Sequence, residues 1–369
     1  MAASDQAYMA RALELARKGI CSTHPNPRVG CVIVRDGQVV GEGWHVRAGE
    51  PHAEVHALRQ AGELARGATA YVTLEPCSHH GRTPPCADAL VAAGVGRVVA
   101  AMQDPNPQVA GRGLKRLADA GIAVESGVLE AEARALNAGF IKRMEKGLPF
   151  VRVKLAMSLD GRTAMASGES QWITGPAARS AVQRLRAQAS VVLTGADTVL
   201  TDAARLTVRA DELGLDPELT ALAVSRPPLR VLVDGRLRVP LAAPFFQAGP
   251  ALVATASDCS SDAYAGHELL ALPGADGRVD LRKLLQELAS RGVNEVLVEA
   301  GPSLAGAFAQ AGLVDEYQIF IAAKFLGSSA RPLLDWPLAR MAEAQELNIV
   351  EMRAVGDDWR VIAIPRATA

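Results

Sequence analysis

A basic excess is missing from this sequence: 39 Lys and Arg stand against 40 Asp and Glu, a net charge of −1. Proteins that grip nucleic acid through its phosphates carry such an excess or a basic stripe, so nucleic acid is not an expected partner. Aromatic residues are only 4% of the chain and form no cluster suited to stacking on bases. No apolar run approaches the ~20 residues of a membrane span, which removes the membrane as an expected partner. Met1 to Gly19 carry Asp5, Arg11, Glu14, Arg17 and Lys18 at helical intervals, so no signal peptide is expected. Cysteine is scarce and odd in number, five in 369 residues. That argues against a disulfide framework and for a reducing cytoplasm. Internal repeats and low-complexity tracts are also absent.

What remains is ordinary globular composition, 49% hydrophobic and 21% charged. At ~150 residues per domain the length suggests two domains or three. Soft-metal ligands are unevenly spread along it. Six of seven histidines (His24, His45, His52, His56, His79, His80) lie in the first 80 residues, and four of five cysteines (Cys21, Cys31, Cys77, Cys86) in the first 86. Chemistry in the second half must use other means.

The first 145 residues alternate helix and strand. Ser4 can cap a helix running to Gly19. Val29 to Val34 and Val39-Val40, joined by Asp36-Gly37, read as a hairpin. A helix is expected from about His52 to Leu64, opened by Pro51. A strand follows at Tyr71 to Leu74, then a helix at Cys86 to Ala93 and a strand at Val95 to Met102. Next come a helix at Gly113 to Ala120, a strand near Val124, and one last helix from Glu130 to about Met144. This alternation implies a helix-covered sheet, at least partly parallel. Glu145-Lys146-Gly147-Leu148-Pro149 reads as the domain boundary. Beyond it, strands are expected at Phe150 to Met157, Val191-Thr194, Val231-Val233, Ala251-Ala254 and Val296-Glu299. Ala210 to Arg226 has weak periodicity and reads as a surface excursion.

Pro51-His52-Ala53-Glu54 places an imidazole and a carboxylate in the first turn of a helix. Glu75-Pro76-Cys77 ends a strand, and Pro84-Pro85-Cys86 opens the next helix, where the dipole favours a thiolate. One His and two Cys leave a fourth tetrahedral position for water, the mark of a catalytic zinc. By ligand type alone the set also admits iron. Glu54 is close enough to move protons without being a ligand. Zinc nucleobase deaminases show the same order, His-x-Glu and then two cysteines. Their cysteines, however, are two residues apart, whereas Ser78 to Pro85 put eight between Cys77 and Cys86. Singly, each ligand has a bland reading as a buried thiol or a structural imidazole. His56 competes with His52 at one helical turn, although the zinc-protease motif places Glu directly after the first His. His56 is taken as an outer or solvated group. His79 and His80 are taken as loop groups facing substrate or water, and Cys21, Cys31 and Cys259 as packing residues.

At this point the residues resemble a known family. Pro25-Asn26-Pro27-Arg28-Val29-Gly30-Cys31-Val32-Ile33-Val34, His52-Ala53-Glu54-Val55 and the whole run Glu75 to Cys86 are similar to the bifunctional riboflavin-biosynthesis deaminase–reductases. So are Asp104-Pro105-Asn106-Pro107, Lys154 to Gly161, Gly168 to Thr174, and Val298 to Pro302. That family has the same eight-residue gap. The resemblance implies a cytidine-deaminase-like three-layer domain over 1–146 and a dihydrofolate-reductase-like domain over 150–369. It implies deamination of 2,5-diamino-6-(5-phosphoribosylamino)pyrimidin-4-one, then NADPH reduction of the ribose of the resulting uracil to ribityl. His52, Cys77 and Cys86 would bind zinc, Glu54 would shuttle protons, and Asn26 would hold the pyrimidine edge. Arg82 would pair with the ribose phosphate.

The second half lacks the G-x-G-x-x-G dinucleotide fingerprint. Glu299-Ala300-Gly301-Pro302-Ser303-Leu304-Ala305-Gly306-Ala307 is the nearest substitute. It reads equally well as a phosphate-admitting helix start or as a turn that needs glycine for sterics. By resemblance, NADPH would meet Ala156, Trp172, Thr198, Asp202 and Gly301 through Ala307. Substrate would meet Ser170, Arg186, Leu206, Arg209 and Glu299. Trp172 reads as a stacking residue, a lid or core. Lys154 and Asp202 are the ionisable groups suspected of assisting reduction. Relatives carry a Pro in the run Asp202-Ala203-Ala204-Arg205, and its loss here predicts a looser loop. Two other readings stay open. In one the second half is a binding or dimerisation module that never turns over NADPH. In the other the protein edits nucleic acid, which its neutral charge disfavours. Two active sites make self-association plausible without requiring it.

Overall fold

The computed structural model describes residues 3–78, 85–107, 109–257, 264 and 266–366. Arg82, His79, His80 and Cys259, each given a role above, lie outside the described residues. The chain divides into two compact units, Met1–Leu148 and Pro149–Ala369. No helix of the described residues is long and apolar enough to cross a membrane.

The first unit begins with helix α1 (Ala3–Arg17), then hairpin β1 (Gly30–Arg35) and β2 (Gln38–Trp44). Helix α2 (Ala53–Ala61), strand β3 (Thr69–Val72), helix α3 (Cys86–Ala92) and strand β4 (Arg97–Ala100) follow. Helix α4 (Arg112–Asp119), strand β5 (Ala123–Ser126) and helices α5 (Glu130–Leu136) and α6 (Ala138–Lys146) complete it. The sheet order is β2-β1-β3-β4-β5, antiparallel at β1 and parallel from β3 to β5. One face packs Met9 and Leu13 of α1 with Phe140 and Ile141 of α6 against Val32 and Val99. The other packs Ala53, Ala57, Leu90 and Leu117 of α2, α3 and α4 against Ile33 and Val72. Alternating inward residues on the strands therefore produce three layers.

Two features of this unit bear on function. A Cβ at Gly41 would lie 2.2 Å from the Ala57 carbonyl oxygen, and one at Gly43 2.3 Å from that of Ala53. Only glycine lets α2, and with it His52 and Glu54, rest directly on β2. The expected single helix from Glu130 to Met144 is instead broken at Asn137. The buried Asn137 amide accepts from Arg28 N–H (2.8 Å) and donates to the Arg28 carbonyl (2.9 Å), as a strand partner would. This fixes the segment that carries Asn26.

The second unit opens with β6 (Phe150–Ser158), β7 (Arg162–Ala164), α7 (Pro176–Gln188), β8 (Val191–Gly195) and α8 (Ala196–Asp202). It continues through α9 (Pro217–Ser225), β9 (Leu229–Val233), α10 (Pro244–Gln247), β10 (Leu252–Thr255) and β11 (Glu268–Ala271). Then come α11 (Leu281–Ser290), β12 (Glu295–Glu299), α12 (Pro302–Gln310) and β13 (Glu316–Ala322). The short β14 (Arg331–Pro332) and the hairpin β15 (Leu347–Val355) and β16 (Asp358–Pro365) end it. The main sheet runs β11-β10-β9-β8-β12-β6-β13-β16-β15. It is parallel from β11 to β13 and antiparallel through β16 and β15.

Two expectations need amending here. The stretch read as an excursion over 210–226 contains α9, started by Pro217 and by Asp216, whose carboxylate accepts from Leu219 N–H at 2.9 Å. Among its residues only Ala223 is buried, so it shows no periodicity. Strands after Glu299 were not anticipated either. Strand β15 is exposed along most of its length and thus carries no burial pattern to read.

Replacing Asn137 by Ala orphans both backbone groups of Arg28, at about 1–3 kcal/mol for each buried group. We expect Asn137→Ala to cost the first unit about 3 kcal/mol in denaturant unfolding. A loss under about 0.5 kcal/mol would show water substituting for the amide.

Candidate active sites

In the first unit His52 precedes α2 in extended conformation, Cys77 follows β3, and Cys86 begins α3. His52 Nδ1 lies 3.7 Å from Cys77 Sγ and 3.4 Å from Cys86 Sγ, and Cys86 N–H donates to Cys77 Sγ at 3.3 Å. All three ligand atoms fall within 4.8 Å of one another, the one such His/Cys/Asp/Glu group among the described residues. An imidazole nitrogen and two sulfurs this close suit zinc with one position left open. The Cys86 thiol, seconded by His52 and the Cys86 N–H, holds the Cys77 pKa down to about 4. The same bond and burial push Cys86 well up, while Cys77 raises His52. The direction of the Cys77 shift favours the thiolate, the form that binds a cation.

Glu54 sits beside this cluster, 3% exposed, and its Oε2 has no hydrogen-bond partner. Burial pushes its pKa up. A buried carboxylate left unsatisfied is costly, and this one is poised to accept a proton. His56, the competing imidazole, stands outside the cluster with its Nε2 buried and unpartnered. Cys31 is fully buried among α2 and α3 residues, and Cys21 is half-buried.

Two residues with a part in this site escaped the sequence reading. Asn26 Nδ2 donates to His45 Nε2 (3.0 Å), and His45 Nδ1–H donates to the Pro51 carbonyl (3.2 Å). Burial lowers the His45 pKa to about 4, so the ring stays neutral and fixes the Asn26 amide. The buried Glu75 carboxylate accepts four backbone N–H groups: Asp104 (3.1 Å), Gly111 (2.9 Å), Gly113 (2.8 Å) and Leu114 (3.2 Å). The N-terminus of α4 is thus seated on the residues just before Cys77. A Cβ at Gly113 would lie 1.9 Å from the Pro76 carbonyl oxygen. The only sequence signals were an acid adjoining Pro-Cys and a histidine with no role.

In the second unit a cavity of about 1420 Å³ opens at the carboxyl ends of β6, β8, β9 and β12. Ligands of open parallel sheets bind in this position. Every residue that the resemblance assigned to NADPH or substrate in this half lines it, except Ala305 and Gly306. Those two lie on the far side of α12. Ala305 is fully buried, and a Cβ at Gly306 would meet the Asp335 backbone at 2.4 Å. Trp172 is 60% exposed with the Arg179 guanidinium 4.5 Å from its ring centroid, which places it at the rim and not in the core. Arg186 grips Glu299 in a bidentate pair, Nε–Oε1 2.6 Å and Nη2–Oε2 2.9 Å, and donates to the Thr207 carbonyl (3.0 Å). Burial alone would raise the Glu299 pKa, but Arg186 reverses that and keeps it below the usual value. Lys154 is half-buried beside them, and desolvation lowers its pKa against the pull of Glu299. Ser170 Oγ donates to Asp202 (2.8 Å). After α8 the chain runs without helix or strand to Arg209, with Ala203 and Leu206 in left-handed conformation. Gly301 N–H donates to Thr198 Oγ1 (3.1 Å), tying α8 to the start of α12.

If Glu75 seats the Cys77 strand end, Glu75→Ala should weaken zinc affinity roughly 10–100-fold, the usual cost of removing an outer support. Competition with a chelator measures this. Unchanged affinity would show that the four bonds support the loop and not the metal centre.

The family model for the cytidine and deoxycytidylate deaminase zinc-binding region matches residues 2–102. The model for the RibD C-terminal domain matches 149–361. Riboflavin biosynthesis protein RibD of Escherichia coli is 56% identical over 96% of this chain and 97% of its own length. That of Haemophilus influenzae is 49% identical over 98% of each. The solved structure of Acinetobacter baumannii RibD (form 1) superposes with a TM-score of 0.91 at 47% identity, covering 99% of each chain. A Thermotoga maritima structure, named as a diaminohydroxyphosphoribosylaminopyrimidine deaminase/5-amino-6-(5-phosphoribosylamino)uracil reductase, gives 0.85 at 34% identity over 98% of this chain and 99% of that one. Matches of this extent cover both units, so the reading of the second half as a non-catalytic module is not favoured. With a zinc-type cluster in one unit and a reductase cavity in the other, the chain belongs to the RibD family of bifunctional deaminase–reductases of riboflavin biosynthesis.

Proposed function

We propose that residues 1–146 deaminate 2,5-diamino-6-(5-phosphoribosylamino)pyrimidin-4(3H)-one and that residues 150–369 reduce the ribosyl group of 5-amino-6-(5-phosphoribosylamino)uracil to ribityl with NADPH. The observation that carries this is the convergence of His52 Nδ1, Cys77 Sγ and Cys86 Sγ beside Glu54, whose Oε2 has no partner. The substrates are supported by the name of the Thermotoga maritima relative. In this reading the partners are small phosphoribosyl pyrimidines in the cytoplasm, not nucleic acid or membrane.

His52, Cys77 and Cys86 would hold a zinc ion, which would supply Lewis acidity to bring the pKa of a water toward neutrality. Glu54 Oε2 takes the proton released in attack and returns it to the leaving amine, a task suited to a carboxylate whose pKa is raised by burial. Asn26, held by neutral His45, orients the pyrimidine edge. Arg82, on the chain between the two cysteines, pairs with the ribose phosphate.

In the second unit NADPH supplies the reducing equivalent, and the protein adds mainly positioning. Gly301 to Leu304 and Ala307 present a helix start to the cofactor phosphates, with Ala156, Thr198, Asp202 and Trp172 along the same wall. Ala305 and Gly306 support that helix from behind. Glu299, kept ionised by Arg186, accepts from ribose hydroxyls, and Arg209 at the cavity wall meets the phosphate, with Ser170 and Leu206 beside them.

Given the diaminopyrimidine and NADPH, the wild type should release ammonia and consume NADPH. Glu54→Ala should do neither, at a loss of roughly 10²–10⁴-fold. The same variant should still consume NADPH when given the aminouracil directly. Ammonia without NADPH loss in the wild type would leave the deaminase standing and sink the reductase half of the reading.

A further inference from the structure

A second, smaller cavity of about 340 Å³ lies on the other side of α7 from the catalytic one. Helix α7 presents Gln183 and Arg186 to the catalytic cavity, and Arg184 and Gln188 to this one. The remaining walls come from β6, β13, β15 and β16.

Its charge is not balanced from within. Arg353 of β15 and Arg360 of β16 are direct cross-strand partners. Like charges so placed repel and destabilise the pair. They share a single carboxylate, Glu351. Arg184 approaches the same pair from α7 and bonds neutral oxygens, Ser180 Oγ (2.9 Å) and the Leu213 carbonyl (2.7 Å). Burial and the charges of Arg353 and Arg360 lower its pKa. The acid on the wall, Glu316, is taken by Arg152 and by Gln318 Nε2 (2.6 Å). Arg152 also meets Glu295. Two buried polar atoms have no partner: the Arg360 Nε donor and the Oε1 acceptor of Gln318, a side chain only 3% exposed.

Three guanidiniums, two of them sharing one carboxylate, with an N–H unused, complement an oxyanion. The idle Gln318 acceptor adds a demand for an O–H on the same ligand. Hydrogen phosphate and phosphate monoesters of sugars carry both features, and sulfate lacks the O–H. We propose that this cavity is a second phosphate site, distinct from the catalytic cavity, for phosphate free or as a small monoester.

Calorimetric titration of the full chain, loaded with NADPH, with inorganic phosphate, ribose 5-phosphate and sulfate tests this. A binding event should persist in Arg209→Met, which disables the catalytic phosphate contact, and weaken at least tenfold in Arg353→Glu and Arg184→Met. Sulfate should bind at least tenfold more weakly than phosphate. Arg353→Glu exchanges an ion pair with Glu351 for one with Arg360, so its melting temperature in phosphate-free buffer should stay near that of wild type. Its reductase turnover, unchanged, certifies the fold. Equal affinity for phosphate and ribose 5-phosphate identifies the free ion as ligand, and tighter binding of the ester identifies a phosphorylated metabolite. Phosphate binding in Arg353→Glu and Arg184→Met equal to wild type, or no event beyond the one that Arg209→Met removes, overturns the proposal.

Discussion

A carboxylate taken out of water has to be compensated, and the way each buried acid is compensated organises both units. Glu75 is met by four backbone N–H groups and becomes a fixed point under the strand end that carries Cys77. Glu299 is met by the Arg186 fork and stays ionised inside the cavity. Glu54 has an Oε2 without a partner and lies beside the cluster of His52, Cys77 and Cys86. Glu75 and Glu299 have both carboxylate oxygens met, whereas Glu54 keeps one oxygen short, which suits it to take up a proton.

Much of this was legible from sequence because the informative residues are close along the chain. His52 and Glu54 flank the start of α2, and Cys77 and Cys86 bracket one loop. The resemblance then carried the cavity residues of the second unit, and the cavity gathers them apart from Ala305 and Gly306, whose helical phase turns them inward. What stayed hidden depends on partners far apart in sequence. Asn137 meets Arg28 across 109 residues, and Glu75 meets Gly113 across 38. No local pattern announces such pairings. Helix α9 and strand β15 were missed for another reason: both are largely exposed, and periodicity reports burial.

The cavity of the second unit also shows where positional accuracy is bought with strain. Ala203 and Leu206 both adopt left-handed backbone, at roughly 1–2 kcal/mol each for residues with a Cβ. The loop between α8 and Arg209 has no secondary structure to hold it. It is held by side chains: Leu206 is buried, Ser170 bonds Asp202, and Arg186 bonds the Thr207 carbonyl.

The seat of α2 on β2 has a consequence of a different kind. Ion pairs weaken with salt and hydrogen bonds compete with water, but the contact of two backbones at Gly41 and Gly43 is repulsive and short-ranged. A wall of that sort hardly changes with ionic strength, pH or moderate heating. The placement of His52 and Glu54 therefore inherits a tolerance set by atomic radii, and the first unit can vary its surface charges freely without detuning the centre that they serve.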